Sequence, residues 1–499
     1  MKILNICKSI GVLALATTLL VSCSKLEFDI PVEEVTPLTS GTADFSNYVA
    51  LGASFSAGVS DGSLFIASQN NSFPNSLSGA MANAGGGEFR QPLVSDNVGG
   101  LLLGGVQIAG PRLYFNGSGL GVLNDTPTTE VTNILTGPFN NMGVPGAKSF
   151  HLLAPGYGNV AGVPIGQANP YFARMASSPN ATVLEDAVSQ NGTFFTVSVM
   201  GGNDVLGYAT SGGSGVDQTG NFDPATYGGN DITDPNVFAG VASAIVAGLT
   251  ANGAKGVLSN VPYVTDLPYF TTVPYDAVPL DAATAAQLNG AFAPYNGGLL
   301  AAEAGSLITP SERAARTINF AAGQNAVTLV DEDLTNLGAL GLPSYRQATS
   351  NDLLVLPASS FIGTQVDGNP QLINGVSVPL SDQWVLTDIE TQKVLTATDA
   401  YALAVEALAT ANGLAFVDLR VILSEAYSSG IMFDNFNMTT DLIFGGLVSL
   451  DGVHLTARGY AYMANKFLEA IDTTYGSNFG ASGSMLKADN YTVIYPEGL

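Results

Sequence analysis

The order of apolar and polar positions predicts buried strands alternating with helices. Tyr48 to Leu51 and Phe194 to Met200 are short apolar or β-branched runs that end at glycines, as buried strands do. Pro235 to Asn252 places apolar residues four apart and predicts a helix. Gly256 to Val261 is the next predicted strand. A strand, helix, strand order is typical of a parallel α/β sheet.

The same order recurs near the end of the chain. We predict a helix over Asp388 to Asn412, a strand over Leu414 to Leu419 and a helix over Thr456 to Thr473. Val264 to Leu386 mixes prolines, glycines and short apolar runs. We expect it to be material inserted around the sheet, with a small separate subdomain as the alternative. Val59 to Asn140, rich in Gly, Asn, Ser and Leu, is a second long insertion without a recognisable motif.

The start of the chain has the pattern of a secretory signal. Lys2 and Lys8 precede an apolar run from Ile10 to Val21, which is too short to span a bilayer. We therefore expect residues 1–22 to be a signal peptide. Residues 23–43 contain prolines and acids with little periodicity, so we expect an extended tether there. No later run is predicted to cross a membrane.

Composition narrows the classes of function. Hydrophobic residues make up 46% and charged residues 11% of the chain, which is enough apolar material for a large core. The formal net charge of −25 repels nucleic acid, so we expect no nucleic-acid partner. Cys7 and Cys23 are the only cysteines, and a chain without the signal has no disulfide.

The residue types present also argue against metal and cofactor chemistry. With two histidines and no usable cysteine pair, a zinc centre would need mostly carboxylate ligands. The acidic stretch from Asp217 to Asp234 lacks the ligand spacing of a calcium loop, and we expect it to be a solvated loop. No phosphate-binding motif is present. We therefore predict no metal and no cofactor.

Four short segments carry the residue types that ester hydrolysis needs. They are Gly52 to Ser56, Asn141 to Gly146, Gly201 to Asp204 and Asp451 to His454. Hydrolysis by serine requires a nucleophilic hydroxyl, an imidazole base held by a third group, and N–H donors for the developing oxyanion. Ser54 follows a predicted strand and begins a predicted helix, whose N-terminus favours negative charge.

Of the two histidines in the chain, the one in the fourth segment is the better candidate for the imidazole base. Asp451-x-x-His454 places a carboxylate and an imidazole on one short turn, where the carboxylate can fix the tautomer of the ring. The other histidine, His151, has no carboxylate near it in sequence. We expect His151 to be structural or to lie at the rim of a pocket.

In this order the four segments resemble the SGNH or GDSL hydrolase family of esterases, lipases, thioesterases and carbohydrate deacetylases. The resemblance implies a flavodoxin-like three-layer α/β/α sandwich with a parallel sheet, here over residues 44–476. The insertions then cover about 59–140 and 264–386, and a C-terminal extension covers 477–499.

The resemblance also implies a role for individual residues. Ser54 becomes the nucleophile, His454 the base and Asp451 the group that orients it. The backbone N–H groups of Ser54 and Gly146 and the side chain of Asn203 become the oxyanion hole, with Gly143 as the alternative to Gly146. The family's acid before the serine is Ala53 here and its usual leucine is Phe55. We expect these two departures to retune activity without abolishing it.

The end of the signal resembles a bacterial lipobox. Leu20-Val21-Ser22-Cys23 implies cleavage before Cys23, acylation of that cysteine and attachment to the bacterial cell envelope, in particular the outer membrane. The alternative is an ordinary cleaved signal in which the cysteine is incidental.

Together these patterns predict a membrane-anchored, extracytoplasmic serine esterase or lipase. Its partners would be an acyl-ester substrate, either lipid or acylated glycan, and the membrane that holds its lipid anchor. Two alternatives remain open. One is a carbohydrate O-deacetylase. The other is a non-catalytic surface lipoprotein that binds glycan or lipid on a decayed hydrolase scaffold.

Overall fold

A parallel sheet forms the centre of the protein in the computed structural model, which describes residues 36–499. The predicted signal peptide and Cys23 lie outside the described residues. The sheet has five strands within this range: β1 Tyr48–Gly52, β2 Asn141–Gly143, β3 Phe194–Ser198, β4 Lys255–Ser259 and β5 Ala415–Val417. Their order across the sheet is β2-β1-β3-β4-β5, and every pair is parallel. Flavodoxin-like doubly wound sheets have this order.

Both faces of the sheet are covered, because every residue of β1 and β3 is buried. Eight helices are used below: α1 Ser54–Ala57, α2 Phe73–Ala82, α3 Val183–Val188, α4 Gly202–Thr210, α5 Pro235–Thr250, α6 Asp388–Asn412, α7 Leu419–Ser428 and α8 Ala457–Tyr475. Helix α8 packs on α2, β4 and β5. Helix α6 packs on α4, α5, β4 and β5. The protein is thus a mixed α/β structure with a parallel sheet between helices.

Local sequence explains where the long helices begin and end. Asp234 caps α5 by accepting the N–H groups of Asn236 and Val237, at 2.8 and 3.0 Å, and Pro235 occupies the first helical position. Thr387 and Glu390 form a capping box at the start of α6. Gly413, with φ +62°, ends α6 in the left-handed conformation that favours glycine.

The predicted elements are confirmed with small changes of boundary. The helix predicted over Asp388 to Asn412 has those bounds, and the strand predicted to start at Gly256 begins at Lys255. α6 also has the length and hydropathy of a membrane span, contrary to our expectation that no run beyond the signal does. Nine of its residues, including Tyr401 and Val405, are buried against the rest of the protein, as in a core helix.

Outside the central sheet, the described residues form further helices, most of them short, and two-stranded antiparallel pairs. Further helices are Ile66–Asn70, Pro170–Ala173, Pro268–Thr271, Ala282–Ala304 and Pro310–Arg316. Further strands pair as Leu101–Leu103 with Val106–Ala109, Leu113–Phe115 with Leu120–Val122, Val278–Leu280 with Gly323–Asn325, Thr328–Val330 with Tyr345–Gln347, Leu353–Leu354 with Val385–Leu386, Gln365–Val366 with Asn369–Ile373, and Ile431–Phe433 with Phe436–Met438. All of these elements belong to one unit, Pro37–Leu499.

The two ends of this unit are held to its body. The Thr39 N–H donates to Asn478 Oδ1 at 2.8 Å, and the Thr42 N–H donates to the Tyr475 carbonyl at 2.8 Å. The last residues of the predicted tether are therefore bound to the predicted C-terminal extension and the end of α8. In that extension, Phe479 is fully buried.

Candidate active site

Three of the four predicted segments leave the sheet at the same level. Gly52 at the end of β1 pairs with Gly143 of β2 on one side and with Ser198 of β3 on the other. Ser54 follows β1 by two residues, and Asn203 follows β3 closely. β1 is also where the strand order reverses, and doubly wound sheets place their ligands at the carboxyl ends of the strands at this point.

Ser54 follows a crowded turn in which Gly52 leaves little room for a side chain. A Cβ on Gly52 would lie 2.4 Å from Ser56 Oγ and 3.1 Å from the Ser198 carbonyl oxygen. The Ser56 and Ser198 hydroxyls are 2.7 Å apart and fasten α1 to β3. α1 is a single turn, so the electrostatic help expected from a helix N-terminus is small. The N–H of Ser54, as the first residue of α1, has no partner within that helix.

The two glycines of the second segment, Gly143 and Gly146, differ in their surroundings and in whether their N–H groups are engaged. The Gly143 N–H donates to Asn141 Oδ1 at 3.0 Å, and a Cβ on Gly143 would lie 2.3 Å from the Ala57 nitrogen. Gly146 instead is exposed, has φ +78°, and would have no atom within 4 Å of an added Cβ. Among the hydrogen bonds of residues 36–499, none uses the Gly146 N–H. This geometry favours Gly146 over Gly143 as a donor to a ligand.

The third segment is tied to the second. Asn203 Nδ2 donates one N–H to the Ala147 carbonyl at 2.8 Å, which leaves its second N–H for another acceptor. The neighbouring Asp204 is buried and accepts from the Ser149 N–H at 2.9 Å and the Ser149 hydroxyl at 2.7 Å. Burial raises the pKa of Asp204. The sequence pattern indicated no role for Asp204, although it stands in the Gly-Gly-Asn-Asp tetrapeptide.

The fourth segment forms the hydrogen-bonded pair that its spacing predicts. Asp451 Oδ2 lies 2.8 Å from His454 Nδ1. Asp451 Oδ1 accepts the N–H groups of Val453 and His454, both at 2.8 Å. Burial alone would raise the pKa of Asp451, but the adjacent imidazole and these donors hold it well below its usual range. Asp451 is therefore ionised and fixes the ring of His454.

The turn at Asp61 and Gly62, which no sequence pattern indicated, holds Asp451 from the other side. The Gly62 N–H donates to Asp451 Oδ2 at 2.7 Å. The Asp61 N–H donates to Ser449 Oγ at 3.0 Å, and that hydroxyl donates to Asp451 Oδ1 at 3.1 Å. Asp61 Oδ1 in turn accepts the Leu450 N–H at 3.1 Å, whereas its buried Oδ2 has no partner among the described residues.

In residues 36–499 no hydrogen bond joins Ser54 and His454, but the residue after Ser54 lies near the imidazole. The ring of Phe55, next to Ser54, lies 5.5 Å from the imidazole centroid. Ser54 is only 8% exposed. The Tyr269 N–H donates to the Gly452 carbonyl at 3.1 Å, so the segment around Tyr269 packs on the loop that carries Asp451 and His454. Catalytic hydrogen bonds are often long or poorly aligned before substrate binds, so Ser54 and His454 can still act as a nucleophile and its base.

Three of the four segments thus meet at one edge of the sheet, and the fourth approaches them where the His454 ring lies near Phe55. No family model, curated protein or solved structure matches this chain. What the site can do chemically therefore rests on its geometry: a serine on a strand-end turn, an imidazole fixed by an ionised carboxylate, and N–H groups free to donate.

The other predicted residues lie in different surroundings. His151 Nδ1 accepts the Lys148 N–H at 3.1 Å, and its ring stacks on Tyr157 at 4.6 Å. Burial lowers the pKa of His151 to about 4, and the nearby Lys148 charge adds to this effect.

The acidic stretch from Asp217 to Asp234 is less solvated than we expected, because Asp231 and Asp234 are buried and accept backbone N–H groups.

One group of carboxylates has the spacing of a cation site. Oxygens of Glu332, Asp382 and Glu390 lie within 4.8 Å of one another. Burial raises the pKa of Asp382 to about 7 and that of Glu390 to about 8, and the Glu332 charge adds to both. Near neutral pH this group therefore holds protons, and none of its members belongs to the four segments around Ser54.

Proposed function

We propose that the protein is a serine esterase of the SGNH type, which hydrolyses acyl esters with Ser54 as the nucleophile. The observation that carries the proposal is the Asp451–His454 pair, 2.8 Å apart, whose imidazole lies 5.5 Å from the ring of Phe55, the residue after Ser54. The strand order β2-β1-β3-β4-β5 also agrees with the flavodoxin-like sandwich that this family has. The lipid anchor at Cys23 and a place in the bacterial cell envelope remain proposals from the sequence.

In this mechanism the hydroxyl of Ser54 attacks the ester carbonyl while His454 Nε2 takes its proton. Asp451 holds Nδ1 and stabilises the imidazolium that forms. The N–H groups of Ser54, Gly146 and Asn203 stabilise the oxyanion. The imidazolium then protonates the departing alcohol, and an acyl-serine remains. Water, deprotonated by His454, releases the acid and restores Ser54.

The experiment compares the full-length protein in detergent with its Ser54→Ala and His454→Ala variants on p-nitrophenyl esters. We expect kcat to fall about 10⁴ to 10⁶ fold in both variants. His151→Phe is the matched control, because it removes the other histidine, and it should keep most of the activity. An equal loss in all three variants would contradict the assignment.

Covalent labelling separates catalysis from binding alone. A fluorophosphonate should attach to Ser54, which mass spectrometry of the digested protein locates. Loss of labelling in His454→Ala would support a base that activates the hydroxyl. A folded wild-type protein that neither turns over esters nor labels at Ser54 would favour the alternative of a glycan- or lipid-binding scaffold.

A further inference from the structure

A tight turn, Ser60 to Ser63, packs against the loop that carries the proposed base. The backbones of its two end residues exchange two hydrogen bonds at 3.0 Å. The two residues between them, Asp61 and Gly62, have φ +52° and +77°. Positive φ at both central positions is typical of a type I′ turn, in which Asp-Gly is a common pair. We call it the Asp61 turn.

The Asp61 turn contacts both oxygens of the Asp451 carboxylate. The Gly62 N–H donates to Oδ2 at 2.7 Å. The Asp61 N–H donates to the Ser449 hydroxyl at 3.0 Å, and this hydroxyl donates to Oδ1 at 3.1 Å. The position of the carboxylate is therefore set by the turn as well as by its own loop.

The same turn holds the loop on either side of this carboxylate. Asp61 Oδ1 accepts the Leu450 N–H at 3.1 Å. The Ser60 hydroxyl donates to the Leu455 carbonyl at 3.1 Å. The proposed base and the group that orients it lie between these two anchors, so the turn fixes the whole Asp-x-x-His segment.

Turn geometry does not require a buried carboxyl. Asp367 and Gly368 are another Asp-Gly pair with positive φ, +50° and +72°, between the paired residues Val366 and Asn369, and Asp367 is exposed. Asp61 instead is 2% exposed, and its Oδ2 has no hydrogen-bond partner among residues 36–499. An ionised oxygen there loses its hydration without replacement. The turn alone therefore does not explain why Asp61 is buried.

The groups that act on the Asp61 carboxyl include both members of the proposed catalytic pair. Burial raises the pKa of Asp61 to about 7, and the Asp451 charge adds to this rise. Arg112 and a protonated His454 act in the opposite direction. Arg112 donates to backbone carbonyls and forms no ion pair with Asp61 within the described range. The buried Tyr495, from the end of the chain, also senses the Asp61 charge.

We propose that Asp61 is a positioning residue of this site, which fixes the loop of Asp451 and His454 and whose ionisation makes the imidazole hold its own proton more tightly. This inference rests on the proposed esterase function. When Asp61 loses its proton, a second negative charge near His454 stabilises the imidazolium. The pH at which the base becomes available therefore depends on Asp61.

The first test measures kcat/KM on p-nitrophenyl acetate from pH 5 to pH 9 with the full-length protein in detergent. Asp61→Asn keeps an acceptor for the Leu450 N–H, so its highest kcat/KM should stay within about threefold of wild type. The pH of half-maximal kcat/KM should fall by roughly 0.5 unit, because the charge that stabilises the imidazolium is gone.

Asp367→Asn is the matched control for this profile, because it makes the same change in an exposed turn with the same φ signs. Its pH profile should equal that of wild type. A profile of Asp61→Asn that also equals that of wild type would overturn the proposal.

The second test removes the whole side chain but keeps the backbone that the turn needs. In Asp61→Gly the Leu450 N–H loses its acceptor, and the loop of Asp451 should loosen. We expect kcat to fall about tenfold or more with little change in KM, because the side chain positions the base and does not bind substrate. Asp367→Gly should change neither value. An unchanged kcat in a folded Asp61→Gly would contradict the positioning role.

A third measurement does not need turnover. NMR of the full-length protein labelled with ¹⁵N-histidine follows the two imidazoles over the same pH range, and His151→Phe assigns their signals. In Asp61→Asn the pH at which His454 is half-protonated should fall by roughly 0.5 unit, while that of His151 stays the same.

This measurement separates the two proposals. The shift at His454 without any Ser54-dependent hydrolysis would leave the role of Asp61 standing and refute the esterase. Ser54-dependent hydrolysis together with identical His454 titrations in wild type and Asp61→Asn would refute the role of Asp61 alone.

Discussion

The unpartnered carboxyl of Asp61 predicts a pH-dependent loss of stability. Asp61 is 2% exposed, and its Oδ2 has no hydrogen-bond partner in the described part of the chain. Burial raises the pKa of Asp61 to about 7 and the Asp451 charge adds to the rise, although the Leu450 N–H, Arg112 and His454 oppose it. The ordinary value is 3.8. The rise corresponds to about 4 kcal/mol, since one pKa unit is worth about 1.4 kcal/mol.

The sign follows from which state holds the proton. Between about pH 4 and pH 7 the folded protein keeps the Asp61 proton, whereas the unfolded chain has released it. The stabilisation from protonated Asp61 is therefore complete below about pH 4 and is lost as the pH rises through about 7. Asp61→Asn removes this titration. It keeps an acceptor for the Leu450 N–H and suits the backbone at φ +52°.

Urea unfolding of the two proteins at pH 5, 6, 7 and 8.5 measures the effect. We expect the free energy of unfolding of Asp61→Asn, relative to wild type, to rise by about 2 to 3 kcal/mol between pH 5 and pH 8.5. Other titrating groups change equally in both proteins and largely cancel in this difference. A difference that stays constant over the four pH values would refute the reasoning.

Three further predictions concern the segments around the site. Asn203→Ala should lower kcat on p-nitrophenyl esters about 10² to 10³ fold, because it removes the free side-chain N–H. The variant also loses the hydrogen bond to the Ala147 carbonyl, and a circular dichroism melt checks that the protein is still folded. Gly143→Ala should destabilise the protein far more than Gly146→Ala, since its Cβ would lie 2.3 Å from a backbone nitrogen, whereas the change at Gly146 adds only backbone strain of about 1 to 2 kcal/mol. Thermal melts compare the two, and the reverse order would contradict the packing. Arg112→Met should free the C-terminal tail, because the buried guanidinium donates to the carbonyls of Pro496 and Glu497. We expect a protease to cleave this tail faster in the variant, as measured by mass spectrometry. Unchanged cleavage would contradict the prediction.

Sequence patterns predicted the elements that depend on local spacing. The buried strand at Tyr48 and the helices at Pro235 and Asp388 follow from periodicity and capping residues. The pattern missed β2, because Asn141–Gly143 has three residues and no apolar run. It also missed the clamp on Asp451 from Asp61 and Gly62, since 389 residues separate Gly62 from Asp451.

The sequence by itself determined which groups can carry the chemistry: one serine on a Gly-bounded turn, one Asp-x-x-His pair and a Gly-Gly-Asn-Asp segment. Their hydrogen bonds with near neighbours, such as Asp451 with His454, follow from short spacing and backbone geometry. Only the tertiary structure decided that Gly146 rather than Gly143 has an N–H to offer, and that the Phe55 ring lies near His454. These properties depend on contacts between distant segments, whose approach is set by the packing of the whole core and not by local pattern.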